Sequence, residues 1–448
     1  MPDPDVLVVG GGIAGLAAAL RLRERGLQPL VLEAESRLGG RMTTDRVGGF
    51  AIDTGVTLLG NRFRNMRRLA RRLGLEPWMR PVRFTLGIRD RESSRAYRAR
   101  HPDDILFRAG LSAKGRAAAL RFFLDLLRNR GALVHGRSDR SEALDTRDSA
   151  AYLDELGPGG RELLEKIFEP GLRAAVGGAP GRCSQAILMQ TVWNTLGGGF
   201  WNFEGGVDRL IAAAAAPLTV WTRARVRRLA YDAKEVTVEL EREGRSLCLR
   251  ARGAIVAVPG HRAAALADLP EWIAAPLTGT SYSRVASAHV ALSAPPTAAF
   301  EGYGFLHPAE GVGALELEHL RAPGRCPSGT GMVSVYFVPT SGWSPLAASD
   351  AELSARASAV VDETFPECRG KVLFVHLIRW ESAVALFPPG RLTEMTVLRR
   401  RLTRWDAPID FCGDYLDGLS SEGALATGEQ AAERLAARLG AGGSNRAA

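Results

Sequence analysis

Gly10, Gly12 and Gly15, followed at the end of the next apolar run by Glu33, are the first residues of this chain whose types and spacing could do chemistry. In a G-x-G-x-x-G pattern the first glycine permits a tight turn, the second lets a pyrophosphate approach the backbone, and the third lets a helix pack closely on the strand before it. Free N–H groups at the start of that helix, together with its dipole, favour anionic phosphates. Glu33, 23 residues after Gly10, is placed to accept hydrogen bonds from an adenosine ribose, and its charge argues against a 2′-phosphate and so against NADP. In "EAESRLGGRM", Gly39 and Gly40 bring Arg41 near the same pyrophosphate, and Arg37 offers a second charge-assisted contact. The glycines alone would also admit close packing with no ligand, and "GGR" alone a turn beside a solvated arginine; their combination with Glu33 strengthens the reading as a dinucleotide socket.

The elements that must position these residues follow from the apolar spacing. "DVLVVG" is a short, nearly all-apolar run ending at glycine, which predicts a central parallel strand buried on both faces. Residues 12–25 predict a helix stopped by Gly26, and "LQPLVLEA" a second strand ending near Glu33, so the opening is a βαβ unit. A further helix in "NMRRLARRLGL" ends at Gly74, after which residues 85–190 carry mostly helical signals. Within them, residues 112–130 form an arginine-edged amphipathic segment around Leu120, Phe122, Phe123, Leu126 and Leu127. Residues 218–260 alternate as short strands with turns near Asp232–Lys234 and Glu243–Gly244, a β-meander inserted in a larger sheet. Residues 281–292, 312–320, 330–338 and 371–380 predict strands of a second sheet, and the chain closes with a strand, a Gly-Asp turn, a long helix and a frayed tail, "GAGGSNRAA".

Composition bounds the function. A chain of 448 residues exceeds one hydrophobic core, so two or more domains are expected, and 46% hydrophobic with 24% charged residues is ordinary for a soluble globular protein. The net charge is +9, but all except four of the 58 basic residues are arginine, scattered and interleaved with acids; this is no phosphate-tracking stripe, and nucleic acid is not an expected partner. The five cysteines are far apart with no CxxC pair, against both a zinc site and a disulfide framework and in keeping with a reducing cytoplasm. Asp3 and Asp5 stand where a signal peptide needs positive charge, and no stretch has the eighteen or so apolar residues that span a bilayer. The seven histidines lack metal-ligand spacing, no metal is expected, and no nucleophile triad is present.

"GGGIAGLAAAL", "LEAESRLGGRM" and "GGFAIDTGVTLLG" near the start, and "FPPGRLTEM" with "IDFCGDYLDGLSSEGALATGEQAAERL" near the end, together resemble the flavin-dependent amine oxidase superfamily, which includes protoporphyrinogen oxidases and phytoene-type desaturases. The resemblance implies an α/β fold: a Rossmann-type FAD-binding domain, glutathione-reductase-like, with an α+β substrate domain inserted discontinuously. The implied pieces are 1–80, 201–275 with the meander, and 386–448 for FAD, and 81–200, mainly helical, and 276–385, a sheet, for substrate. It also implies FAD contacts at Gly10, Gly12, Ala14, Gly15, Glu33, Arg37, Gly40, Arg41, Thr57 and Leu58, at Val226 against the adenine, at Gly413 and Asp414 toward the ribityl-phosphate, and at Glu422, Gly423 and Ala424, which start a helix aimed at the flavin. A helix N-terminus there would stabilise negative charge on reduced flavin.

Three departures refine the resemblance. Where relatives attach FAD through a cysteine, this chain has Ser382, so FAD is expected to be non-covalent. Where amine oxidases set an aromatic pair beside the flavin, it has Ala383 and Ser420, and where many carry a lysine near the flavin N5 it has Ser287. The expected activity is therefore an FAD-dependent oxidoreductase, closer to protoporphyrinogen oxidases and desaturases than to monoamine oxidases. It would remove two electrons from a C–H, C–C or C–N bond of a largely apolar substrate by hydride transfer to the flavin. Tyr336, His376 and Trp380 are pocket candidates on the substrate sheet, as are His289 and His319, although a satisfied core or surface role is the stronger reading of each. Residues 112–130 could rest on a membrane surface or bury their apolar face in the domain. Two other classes stay open: an amine or amino-acid oxidase producing imine and hydrogen peroxide, and a non-catalytic escort protein of the same fold. The residues name neither the substrate nor the electron acceptor, leave the oligomeric state open, and do not separate net oxidation from isomerisation.

Overall fold

The computed structural model describes residues 4–82, 86–89, 96–98, 101–135, 137–177, 183–195, 199–297, 304–306 and 309–440, the strands at 86–89, 96–98 and 304–306 by their backbone alone. The tail beyond residue 440 lies outside the described residues.

Val6–Val9, buried at every position, is the middle of a five-stranded parallel sheet with the order Thr219–Trp221, Pro29–Leu32, Val6–Val9, Gly253–Val256, Ile409–Phe411. Its strands come from three separated stretches of chain, and the three-stranded antiparallel meander Ala224–Tyr231, Val236–Arg242, Arg245–Ala251 is threaded between two of them. The helix Ile13–Glu24 packs against the last helix, Ser421–Arg438, so closely that a Cβ on Gly428 would lie 2.2 Å from the Ala14 carbonyl oxygen. Small residues on both helices make that approach possible.

The second sheet has seven strands, ordered Val372–Trp380, Val285–Leu292, Gly331–Phe337, Val312–Leu317, Gly304–Leu306, Leu86–Arg89, Ala96–Arg98. The period of two divides its faces. Ala286, Ala288, Val290, Leu292, Val333, Val335 and Phe337 form one apolar core with Leu353, Ala357 and Val361 of the helix Asp350–Thr364. Ser287, His289, Ser334, Tyr336, His376 and Trp380 alternate with them and so occupy the other face.

Three expectations change. The stretch from 85 onward is not helical at its start, because Leu86–Arg89 pairs with Gly304–Leu306, a neighbour distant in the chain that local periodicity does not see. Residues 318–320 leave the strand for a 3-10 turn, Glu318 being drawn inward by Arg321. The amphipathic segment is the helix Ala113–Asn129, but its apolar residues divide: Phe122, Phe123 and Leu126 enter the core, while Leu120 and Leu127 are 52% and 50% exposed, with Leu124 between them at 44%. No helix among the described residues is long and apolar enough to cross a membrane.

Candidate functional site

The glycine loop is built by contacts that forbid side chains at two positions and leave one open. Gly10 has φ +112° and a Cβ on it would lie 2.6 Å from Ala257 O; one on Gly15 would lie 2.0 Å from Gly10 O, as helix and strand touch there. A Cβ on Gly12 would meet nothing within 4 Å, and Gly12 opens the helix Ile13–Glu24 with no side-chain cap and no acid in the first turn. That is an open, electropositive approach to backbone. The "GGR" loop lies back to back with it: Gly39 N donates to Gly11 O at 2.9 Å, and a Cβ on the exposed Gly40 would be 3.8 Å from Gly12 Cα. Ala14 is buried beneath the last helix, away from this open side.

Glu33, just past Pro29–Leu32, closes the edge of the loop, Oε2 accepting from Gly11 N at 2.7 Å and Oε1 from Glu35 N at 2.9 Å. Ala224 N donates to Glu33 O at 2.8 Å, which brings the half-buried Val226 of the meander to the same end. Arg41 forms a two-pronged ion pair with Asp414, Nη1 to Oδ2 at 2.7 Å and Nη2 to Oδ1 at 3.0 Å, and Nη1 also donates to Ala383 O at 2.9 Å. Burial works against the Arg41 charge, but Asp414 more than offsets it and holds the guanidinium's pKa above its ordinary value. A Cβ on Gly413 would strike the Tyr415 ring at 2.5 Å, so a glycine is required just before Asp414.

Two expected cofactor side chains are otherwise engaged. Arg37 is paired with Asp45, which also takes His376 Nε2 at 2.8 Å. Glu422 turns its carboxylate to the first turn of the helix Arg64–Arg72, accepting from Asn65 N and Met66 N at 2.8 Å each. Burial pushes the Glu422 carboxyl up to about 7 despite those two donors. Gly423 N is used by the helix cap on Ser420 Oγ at 3.1 Å, and Ala424 N bonds Ser420 O, so these residues reach a ligand only through what the cap leaves free.

Between Arg41 and the polar face of the second sheet runs the loop Thr54–Leu58, with Thr57 and Leu58 half-buried. Trp380 Nε1 donates to Thr54 O at 2.7 Å, Asn202 Nδ2 to Thr57 O at 2.6 Å, and Thr57 Oγ1 lies 3.5 Å from Glu316 Oε1. Tyr336 donates to Glu316 Oε2 at 2.8 Å; burial, with Glu316 beside it, raises its phenol well above the ordinary range. Behind them lies a group of buried charges that the sequence did not single out. Arg321 reaches Asp53 at 3.2 Å, Glu316 at 2.8 Å and Glu318 at 2.5 Å, and Arg325 reaches Asp53 at 2.7 Å. Glu316 and Glu318, two apart and alternating with Leu315 and Leu317, were the available signal. His289 joins this group through Ser334, whereas His319, on the 3-10 turn, does not. Among the described residues no group of three His, Cys, Asp or Glu side chains could hold a metal ion.

A family profile described as flavin containing amine oxidoreductase matches residues 13–436. Flavin-containing amine oxidase B of Rattus norvegicus is 47% identical over 75 residues, 16% of this chain and 14% of that one, so the match spans a small part of the relative's length. The fold superposes on cyclohexylamine oxidase from Brevibacterium oxydans with a TM-score of 0.74 at 22% identity, covering 98% of this chain and 100% of the other. It also superposes on a candidate protoporphyrinogen oxidase from Exiguobacterium sp. with a TM-score of 0.73 at 18% identity, covering 98% and 100%. At these identities the likeness establishes the shared fold.

Proposed function

The chain belongs to the flavin-containing amine oxidoreductase family and is an FAD-dependent oxidoreductase, and from that premise we propose that it holds FAD without a covalent bond and oxidises a C–H, C–C or C–N bond of a largely apolar substrate. Its place in an enzyme family leaves the escort alternative without support. The observation that carries the cofactor assignment is the open face of Gly12 between two glycines that tolerate no side chain. The residues fit a dinucleotide: Glu33 for the ribose, Val226 for the adenine, Gly12, Gly40 and Arg41 for the pyrophosphate, and Thr57, Leu58, Asp414 and the start of Ser421–Arg438 for the flavin end. Ser382 precedes Ala383, whose carbonyl takes the Arg41 bond, and offers a hydroxyl where covalent attachment would use a thiol.

When bound, FAD supplies the two-electron acceptor. The protein's own part is placement. Asp414 fixes the orientation of Arg41, whose charge offsets the phosphates. We place the substrate cleft beside the Thr54–Leu58 loop, which Trp380 and Asn202 hold, with Tyr336 and Trp380 as the residues that would orient the substrate. Small side chains support a bulky apolar substrate: Ala383 adds no aromatic wall, and Ser420 is 7% exposed and spent on a helix cap. The exposed Leu120, Leu124 and Leu127, with Phe107 at 75% on the adjoining helix Pro102–Arg108, support peripheral contact with a membrane surface from which such a substrate would enter.

A second reading, oxidation of an amine to an imine with hydrogen peroxide, is favoured by Glu316, a partly exposed carboxylate at the cleft that could meet an ammonium group. Anaerobic titration of FAD-loaded protein decides between them by the loss of flavin absorbance. Reduction by porphyrinogens or polyenes and not by amines supports the first reading; reduction by amines, with stoichiometric peroxide in air, replaces it with the second. Protein that takes up no FAD overturns both.

A further inference from the structure

The polar face of the seven-stranded sheet presents side chains in rungs: Val285 with Trp380, then Ser287 with Tyr336 and Ile378, then His289 with Ser334 and His376. A single file of hydrogen bonds runs along it. Ser287 Oγ lies 3.0 Å from His289 Nε2, His289 Nδ1 lies 2.7 Å from Ser334 Oγ, and Ser334 Oγ donates to Glu318 Oε1 at 2.7 Å. The four are 4%, 1%, 0% and 0% exposed, so no solvent shell competes for the bonds.

Glu318 decides which way every proton in this file points. An ionised carboxylate only accepts. Ser334 then donates to Glu318, His289 donates to Ser334 through Nδ1, and Nε2 accepts the Ser287 hydroxyl. With a proton on Oε1 each bond reverses: Glu318 donates to Ser334, Ser334 to Nδ1, and Nε2–H to Ser287, whose own hydrogen turns outward. The two arrangements differ by one proton, and His289 is neutral in both. Burial, with the Arg321 charge adding, pushes the His289 imidazole down to about 3, which fits a tautomer exchange and disfavours an imidazolium.

The charges around the inner end leave room for that proton. Arg321 and Arg325 face Asp53, Glu316 and Glu318, two guanidiniums against three carboxylates, so the group is neutral when one carboxyl is protonated. Asp53, although buried, is held at about 2 by Arg325 and Arg321 and stays ionised. Burial, with Glu316 adding and Arg321 opposing, lifts Glu318 to about 7, and Glu318 Oε2 has no hydrogen-bond partner among the described residues. The other titratable groups on this side are Tyr336, bonded to Glu316, the His376–Asp45 pair with Arg37, and Cys326, whose thiol burial pushes up to about 12.

We propose that Ser287, His289, Ser334 and Glu318 form a proton wire that carries a proton from the cleft side of the sheet to Glu318 as the substrate is oxidised. The source of the proton rests on the oxidoreductase reading. A substrate that loses two electrons with one hydrogen releases its second hydrogen as a proton. That proton bonds to Ser287 Oγ while the Ser287 proton passes to Nε2, the Nδ1 proton to Ser334 Oγ, and the Ser334 proton to Glu318 Oε1. Each link gives up one O–H or N–H bond and gains another, and the net change is one proton on Glu318. Ser287 is the outermost member of the file, and His289, Ser334 and Glu318 act through it.

The test is the His289 tautomer, read by nitrogen-15 NMR of FAD-loaded protein carrying labelled histidine, between about pH 5.5 and 8.5, with the signal assigned by its loss in His289→Asn. We expect a neutral ring throughout that changes from Nε2–H to Nδ1–H as pH rises through about 7, following Glu318. Ser334→Ala abolishes the change, Ser334→Thr, which keeps the hydroxyl, retains it, and Ser287→Ala retains it while slowing substrate-driven flavin reduction about 100-fold. One fixed tautomer, an imidazolium in this range, or an unaltered change in Ser334→Ala overturns the wire. An intact change in protein that no substrate of the panel reduces overturns the oxidative source of the proton instead, so the two failures are distinct.

Discussion

Gly12 and Gly15 are three residues apart in one motif, yet one Cα is open and the other closed, so an alanine at each should separate the proposed cofactor binding from folding. At Gly12 the backbone has φ −75° and ψ 177°, which alanine adopts without strain, and the added methyl meets nothing within 4 Å. Lower entropy of the unfolded chain favours Gly12→Ala by about 0.4–1 kcal/mol, and the poorer helix cap costs a similar amount, so the cofactor-free protein should change little. The same methyl stands where a phosphate would approach, and the expected loss is about 100-fold in FAD affinity, about 2.7 kcal/mol. Linkage makes this measurable: FAD at 100 times the wild-type Kd stabilises the wild type by about 2.7 kcal/mol, but the variant by about RT ln 2, roughly 0.4 kcal/mol. At Gly15 the Cβ would sit 2.0 Å from Gly10 O, well inside contact distance, so Gly15→Ala must move strand or helix and should cost the cofactor-free fold about 1–3 kcal/mol or more. The assay is urea unfolding of both variants with and without FAD. A Gly12→Ala protein that gains as much from FAD as wild type would refute the assignment of this loop to the phosphates.

Acid precipitation of FAD-loaded protein should leave all the flavin in the supernatant; flavin absorbance retained in the pellet after denaturation would place a covalent bond where Ser382 provides no thiol. The Glu422 carboxyl is raised to about 7 in the fold, above its ordinary value, so its contribution to stability is complete below about pH 4.5 and is lost as pH rises through 7, by up to about 3 kcal/mol. The gap between urea midpoints at pH 5 and pH 8 should therefore narrow in Glu422→Gln, and an unchanged gap would show that Glu422 does not titrate there. Leu120, Leu124 and Leu127 lie exposed on one helix face, so wild type should sediment with anionic vesicles at low salt while a triple serine variant, of unchanged melting temperature, stays in the supernatant. Wild type that never sediments removes the membrane contact.

What was legible in the sequence follows the range of the interactions. The buried strand Val6–Val9, the glycine turn and the helix after it are set by residues within a few positions of one another, and so are Gly39, Gly40 and Arg41. The division of the helix Ala113–Asn129 was not legible, because spacing says which residues share a face and not which face meets the core. The spacing grouped Leu120 and Leu127 with Phe122, Phe123 and Leu126, yet these two are exposed while the other three are buried. The resemblance gave Glu422 as a cofactor contact, and what it did not reveal is that the side chain caps another helix that is close only in the fold. The buried charges were hidden for the same reason: Asp53 comes from the first stretch of chain, and Arg321 and Arg325 from the region of the second sheet.

That origin bears on why charged residues occupy the place at all. A buried ion pair adds little net stability over well-packed apolar residues, because desolvation of both charges offsets their attraction. Apolar contacts, however, tolerate sliding, whereas Arg321 and Arg325 satisfy Asp53 only when the second sheet sits in one position against the strand Phe50–Asp53, which leads directly into the Thr54–Leu58 loop. Asp53 is held further by Thr44 Oγ1 at 2.8 Å, Asn202 Nδ2 at 3.0 Å and Val207 N at 3.0 Å, so both sides of the contact are rigid. The cluster thus fixes the spacing between Thr57 and the rung of Ser287 and Tyr336, beside which the substrate cleft is proposed. Replacing Arg321 alone should cost about 3–5 kcal/mol by leaving the buried Glu318 carboxyl without its arginine, while Asp53 keeps Arg325. Replacing Asp53 and Arg325 together by Leu and Met, which leaves Arg321 with Glu316 and Glu318, should cost less stability than Arg325→Met alone. Retained stability with lost activity would show that the charges hold the loop and the sheet in register; retained activity would show that packing alone suffices.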